Sequence, residues 1–314
     1  MTLFLKKLLL LLTIVSLCCT GLILLSEGMS RNQYEQSYQA AFTDKLQRLK
    51  SIDEPKIILV GHSNLAFGIN SKKLEDALSM PVVNLGLHGG LGNVFHENFA
   101  KANINDGDIV VVCHSSYKLE TIDYRLWWST IGSDKEAFSC LEQEQYYSLM
   151  QAYPDHLKRR LLSIVFGIGD TDTSTSYTRN AFNEYGDIVY KPESAKKDVD
   201  SIFSKKELSV PKIDAECVER LNKYNQYVSS QGATMVVAGY PIAYGKYSTY
   251  TEADFEEFSK SLQEALDCDV ISDYTDYFFP YDYFYDTHLH LTQEGADVRT
   301  AQLIADLKAW KTSN

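Results

Sequence analysis

Beyond about residue 55 the chain sets short apolar runs between longer amphipathic stretches. The runs fall at 56–61, 81–87, 108–113, 234–240 and 269–271, and most are rich in Val and Ile. Helical periodicity appears near 70–79, 93–103, 212–231, 254–266 and 292–311. Short apolar strands alternating with helices predict an α/β fold with a parallel sheet covered on both faces, because a strand buried on both sides shows no polar alternation. In such sheets ligands bind beyond the carboxyl ends of the strands. That rim carries Ser63 after Ile57-Ile58-Leu59-Val60, then His88-Gly89, then His114-Ser115-Ser116. The stretch from about 117 to 210 interrupts the alternation with Trp127-Trp128, a helical segment near 134–166 and the loop GDTDTSTSYTRNAFNEYGD. It reads as an insertion above the sheet, inside one domain spanning 55–314.

The amino-terminal pattern is of another kind. Leu8 to Leu25 carries no charge and spans ~27 Å as a helix, enough to cross a bilayer core. Lys6 and Lys7 precede it, and positive flanks stay in the cytoplasm. Residues 1–28 are therefore expected to be a single-pass signal anchor in the cell membrane, with the domain on the extracytoplasmic side. The run is long for a cleaved signal peptide and no Ala-x-Ala site follows it. Bulky Leu17 ahead of Cys18-Cys19 argues against a lipoprotein. Residues 29–54 read as a helical stalk, whose stripe of Tyr34, Tyr38, Phe42, Leu46 and Leu49 is expected to pack on the domain.

Charge and cysteines narrow the picture. With 42 acidic and 30 basic side chains the net charge is -12, and no basic cluster could follow a phosphate backbone, which excludes nucleic acid as a partner. Cys113 lies in an apolar run and is expected to be buried and free, while a Cys140–Cys217 disulfide is conceivable outside the cell.

The segment YDTHLHLTQEGADVRT supplies the chemistry missing from the first rim position. Asp286, His288 and His290 lie in a short loop ahead of the last helix, with Thr292 placed as its N-cap. A serine at one strand end and an Asp/His pair at another is what nucleophilic acyl chemistry requires. The imidazole accepts the serine proton, the carboxylate fixes the tautomer, and backbone N–H groups hold the oxyanion. Read instead as zinc ligands, the two histidines lack the helical i, i+4 spacing and a separated third ligand. No metal and no cofactor is expected.

Together these residues resemble the SGNH (GDSL-type) hydrolase family, a flavodoxin-like α/β fold of serine esterases and acyltransferases. Gly61-His62-Ser63 is similar to the family's Gly-Asp-Ser block, with His62 in the aspartate position. Asn84-Leu85-Gly86-Leu87-His88-Gly89 is similar to the second block, whose last glycine lends an N–H to the oxyanion hole. DTHLHLTQEGA is similar to the last block, with three residues rather than two between Asp286 and His290. The third block departs most: where the family has Gly-x-Asn-Asp, this chain has His114-Ser115-Ser116-Tyr117 and no asparagine.

The resemblance implies a catalytic set of Ser63, Asp286 and His290, with His288 outside it. It implies an oxyanion hole of Ser63 and Gly89, completed by Ser116 or Tyr117 or left with two donors. An anchored protein of this family is similar to those that assist teichoic-acid D-alanylation or acetylate exported polysaccharides. That implies acyl transfer through a seryl ester to water or to the hydroxyl of a cell-envelope glycan, and leaves room for a membrane acyltransferase as partner. Arg179, Asn183 and Asp187 are expected to bind that glycan, since such side chains grip hydroxyl-rich ligands. The contrasting class is a non-catalytic assembly or binding factor that keeps the fold.

Overall fold

The computed structural model describes residues 2–166, 176–204 and 208–313. Seven strands occur among them: β1 (Ile57–Val60), β2 (Val82–Asn84), β3 (Ile109–Val112), β4 (Thr234–Val237), β5 (Ile242–Ala243), β6 (Asp269–Val270) and β7 (Phe278–Phe279). The helices up to the insertion are α1 (Thr2–Gln36), α2 (Ala41–Ser51), α3 (Ser63–Ala66), α4 (Ser71–Leu78) and α5 (Asn93–Ala100). Those after it begin with α6 (Tyr124–Ser133), α7 (Gln145–Phe166) and α8 (Val199–Phe203), followed by α9 (Ala215–Ser230), α10 (Glu252–Ala265) and α11 (Gln293–Ser313).

Five strands form one parallel sheet in the order β2-β1-β3-β4-β6. Both faces are buried, which is why β1 and β3 read as unbroken apolar runs. Ile58, Val60, Val110 and Val112 face the larger core, with Phe42 of α2, Phe95 of α5 and Leu221 of α9. Ile57, Leu59, Ile109 and Val111 face a smaller core closed by Leu74 of α4 and Leu303 and Leu307 of α11. All five expected strands are present. β4 stops at Val237, short of the apolar run's end at 240. The two-residue strands β5 and β7, which pair with each other, are too short to leave a period in the sequence.

The α1 helix is long and apolar enough to cross a membrane, with a mean hydropathy of 2.8 over its apolar window. It ends at Gln36, the chain turns through extended Ser37, and α2 follows a short 3-10 turn. The expected stripe thus belongs to two helices, and Tyr34, Tyr38, Phe42, Leu46 and Leu49 are all buried. The polar side chains of α2 cover the sheet edge, where unpaired strand groups would otherwise be exposed. Lys45 Nζ donates to Asn84 O (2.8 Å) and Gly186 O (2.6 Å), and Arg48 Nε to Val82 O (2.8 Å). Burial pushes the Lys45 ammonium down to about 7.

The insertion is not stacked above the sheet as a whole. Its helical part is a 3-10 turn (Lys135–Cys140) followed by α7, and α6 and α7 pack beside α1. Only the returning chain crosses the rim, where Ile188 N bonds Ala66 O and Lys197 N bonds Tyr285 O. Residues 169–175, the first part of the Ser/Thr/Asp-rich loop GDTDTSTSYTRNAFNEYGD, lie outside the described residues. All six cysteines are free, so no Cys140–Cys217 bridge forms, and Cys113 is buried as expected.

Beneath the sheet Lys56 and Asp108 form a fully buried ion pair at 2.9 Å, and Asp108 also accepts the N–H groups of Lys56 and Asn105. Removing one partner of such a pair strands a buried charge. Lys56→Met should lower unfolding stability by about 3–5 kcal/mol in urea titration, whereas Lys72→Met, which breaks an exposed pair with Asp76, should barely move the midpoint. Equal effects from the two would mean the buried carboxylate finds compensation elsewhere.

Candidate active site

Ser63 is the first residue of α3, directly after β1 and His62. The turn that presents it is tightly held. Asn64 Nδ2 donates to Cys113 O (3.0 Å), and the buried guanidinium of Arg299 donates to Asn64 O (2.6 Å) and Gly239 O (3.2 Å). Gly86 lets the extension of β2 approach: a Cβ there would stand 2.7 Å from both Ala66 N and His62 O. His62 and Leu87 pair as an isolated bridge, which carries Gly89 to the same rim.

The histidine loop reaches this turn from the other end of the chain. It is closed by Tyr285 N to His290 O (2.8 Å) and Thr292 N to Tyr283 O (2.8 Å). Thr287 Oγ1 accepts the N–H groups of Leu289 and His290, which accommodates the extra residue between Asp286 and His290. Thr292 Oγ1 accepts from Gly295 N (3.2 Å), as the expected N-cap of α11 does.

His290 Nε2 then lies 2.8 Å from Ser63 Oγ, and His290 Nδ1 lies 2.8 Å from Asp286 Oδ1. The structure thus brings together Ser63, His290 and Asp286, residues drawn from opposite ends of the domain. Phe67, one turn after Ser63, stacks flat on the imidazole with ring centroids 4.1 Å apart. Burial raises the Asp286 carboxyl, but the bond and charge of His290 and the Tyr177 hydroxyl outweigh it and leave it below its ordinary value.

Tyr177 has no signal in the sequence. Its hydroxyl donates to Asp286 Oδ2 (2.6 Å) and lies 3.1 Å from His290 Nδ1. Burial first, then the Asp286 charge, push its phenol far up, so it remains a donor. Its ring lies among Tyr38, at 5.7 Å, and Phe67, at 5.5 Å. The segment after the membrane-length helix therefore touches the residue that holds the acid of the site.

The other expected site residues fare differently. Gly89 opens a 3-10 turn at the rim, where a Cβ would meet His62 Nδ1 at 3.5 Å. Ser116 has its carbonyl bound by Asn93 Nδ2 and borders a cavity of about 700 Å³, which Ser115, His288 and Leu289 also line. Tyr117 is buried and bonded to the Tyr274 hydroxyl, which removes it as an oxyanion donor. Arg179, Asn183 and Asp187, expected to bind glycan, each hold contacts within the fold. Arg179 makes a bidentate pair with Asp44 (2.6 and 2.7 Å), Asn183 Oδ1 accepts three backbone N–H groups of its own turn, and buried Asp187 accepts from Ser71 and Asn84.

His62 opens onto a buried polar cluster. Its ring lies 5.1 Å from His96 and 5.7 Å from His114, whose Nε2 pairs with Glu97 Oε1 at 2.9 Å. Burial, then His114, push His62 down to about 3, and burial, then His62, hold His96 well below its usual value. The His62 side chain is therefore neutral at physiological pH.

Two outcomes are expected. Tyr177→Phe leaves Asp286 Oδ2 without its donor and should lower the rate of any Ser63-dependent acyl cleavage by about tenfold, the worth of one hydrogen bond to a charged group. It should also shift the acid limb of the pH–rate profile; a lowered rate with an unmoved profile would make Tyr177 a packing residue only. The histidine cluster governs acid stability. The unfolded chain protonates these rings below about pH 6.5, while native His62 stays neutral to about 3. Stability is therefore full above the unfolded value and falls as pH drops through that window, by about 2 kcal/mol for His62 at pH 5. Urea midpoints that are flat from pH 7.5 to 5 would contradict this. No family model, curated protein or solved structure matches the chain, so the chemistry of this cleft is read from its own atoms.

Proposed function

We propose that the chain is a membrane-anchored serine esterase or O-acyltransferase of the SGNH type, acting outside the cytoplasm on acyl esters of a cell-envelope glycan. The observation that carries this reading is the continuous relay from Ser63 Oγ through His290 to Asp286, at 2.8 Å in each step. The strand order β2-β1-β3-β4-β6 supports a flavodoxin-like assignment, in which such a relay lies beyond the carboxyl ends of the strands.

In the proposed reaction, His290 Nε2 takes the Ser63 proton as Oγ attacks the ester carbonyl. The oxyanion is held by the N–H groups of Ser63 and Gly89, with Ser116 as the third donor. His290 returns the proton to the departing alkoxide, leaving an acyl-Ser63. Water or a glycan hydroxyl then gives its proton to His290 and attacks the acyl carbon, and His290 passes that proton to Ser63 Oγ as the acyl–Oγ bond breaks. Asp286 keeps Nδ1 protonated and stabilises the imidazolium, with Tyr177 fixing its second oxygen. The cavity bordered by Ser116, His288 and Leu289 offers room for acyl group or acceptor. The envelope setting rests on the helix of membrane-spanning length and on Lys6 and Lys7 at its cytoplasmic flank.

A fluorophosphonate should label Ser63, and Ser63→Ala should abolish the labelling. His290→Ala should lower acetyl-ester hydrolysis by ~10²–10⁴-fold, the worth of general-base assistance, while His288→Ala keeps most of it. Acyl-Ser63 that accumulates and is discharged faster by envelope oligosaccharide would identify a transferase; fast turnover indifferent to glycan identifies an esterase. Folded protein that never takes the label would refute catalysis and leave a binding factor.

A further inference from the structure

The cavity of about 700 Å³ is lined by Leu289, the residue before His290, and by segments just past the carboxyl ends of β3 and β4. Part of its wall is apolar and comes from Tyr240, Ile242 and Phe255, all buried. Part is polar and comes from Ser115, Lys118, Ser209 and Lys212. Among the described residues no aspartate or glutamate lines it. That lining runs against the net charge of -12 carried by the whole chain.

Backbone pairing brings the two lysines together. Tyr117 and Ile213 form a parallel bridge, and Asp214 N donates to Tyr117 O at 2.9 Å. Side chains alternate across such a ladder. Lys118 and Lys212, each one residue from a bridge partner, therefore leave it on the same face, away from buried Tyr117. With ~4.8 Å between strands and ~3.3 Å per residue, their Cα atoms stand ~8 Å apart, close enough for both side chains to reach one anion. Both are exposed, and neither has an acidic partner among the described residues. Asp214, level with Lys118 across the ladder, instead accepts the Leu119 N–H at 3.2 Å. The Ser115 and Ser209 hydroxyls make no hydrogen bond among the described residues either. A ligand that fills the cavity strips water from both ammonium groups. A neutral ligand returns no counter-charge for that loss. A phosphate or carboxylate returns charge-assisted hydrogen bonds, about twice as strong as neutral ones.

We infer that this cavity binds an anionic group, a phosphate or a carboxylate, held between Lys118 and Lys212 with the Ser115 and Ser209 hydroxyls as further donors. The wall of Tyr240, Ile242 and Phe255 takes the body that carries the charge. The consequence for chemistry rests on the acyl-transfer reading above: the ester or acceptor presented to Ser63 is then an acidic glycan, not a neutral one.

The test is calorimetric titration of the full chain, in neutral-detergent micelles, with glucose, glucose 6-phosphate and glucuronate. These probes share a sugar body and differ in charge, and none contains an ester, so binding is read whether or not Ser63 reacts. At least one of the two anions should bind about tenfold more tightly than glucose, and the tighter of the two names the charged group. Lys118→Gln combined with Lys212→Gln should erase that preference, and the corresponding pair of Arg substitutions should keep it because the charge is retained. Lys72→Gln, at an exposed lysine of α4 that pairs with Asp76, should leave it unchanged. Anions bound no more tightly than glucose would overturn the proposal, as would a preference that survives the Gln pair. Fluorophosphonate labelling of Ser63 is scored separately. Labelled protein without anion preference keeps the esterase and loses this site, whereas anion preference without labelling keeps the site and loses the esterase.

Discussion

The site depends on one buried guanidinium. Arg299 lies on α11, just beyond the histidine loop, and donates to two backbone carbonyls, Asn64 O beside Ser63 and Gly239 O just past the end of β4. A charge taken out of water costs several kcal/mol unless its hydrogen bonds are replaced. Α11 is therefore held at the one position where those carbonyls can be reached. Gly68 belongs to the same constraint, because a Cβ there would come within 2.4 Å of Asn64 O and 2.7 Å of Arg299 Nη1. With the start of α11 fixed against the serine turn, the Ser63–His290 contact joins residues 227 positions apart without either loop being long.

A second set of contacts builds the segment that follows the apolar helix into the domain. Lys45 and Arg48 close the β2 edge, while Asp44 grips Arg179 and Ser37 bridges to Thr178. Tyr38 and Phe182 pack together at 4.9 Å. The loop held in this way is the one that delivers Tyr177 to Asp286. An amphipathic stripe that reads as a simple stalk is thus structurally continuous with the acid end of the relay. Arg179, one of the residues expected to bind glycan, is a fastener of that joint.

Some of this was legible before any coordinates. Ile57 to Val60 and Ile109 to Val112 announce strands buried on both faces because each run is local and needs no knowledge of its neighbours. Ser63 and the Asp286/His290 loop could be paired because strand ends in a parallel sheet share one rim. Thr292 as an N-cap was legible for the same local reason. The contacts that Arg179, Asn183 and Asp187 make within the fold were not legible, because side-chain chemistry says what a group can bind, not which neighbour reaches it. Tyr177 and Arg299 carried no signal, since a lone tyrosine in a polar loop and a lone arginine in a helix match no spacing.

The sequence by itself determined the alternation of strands and helices, the apolar segment at the amino end, and the identity of a serine, an aspartate and a histidine suited to one another. These follow from periodicity and from local backbone preference, which act over a few residues. Only the tertiary structure decided that Tyr177 bonds Asp286, that Phe67 stacks on the His290 imidazole, that His62 is held neutral among His96 and His114, and that Asp187 bonds Ser71 at the start of α4. Each of those outcomes is set by which distant side chain fills a given space and by how much water is excluded there. Burial and long-range pairing are properties of the packed chain.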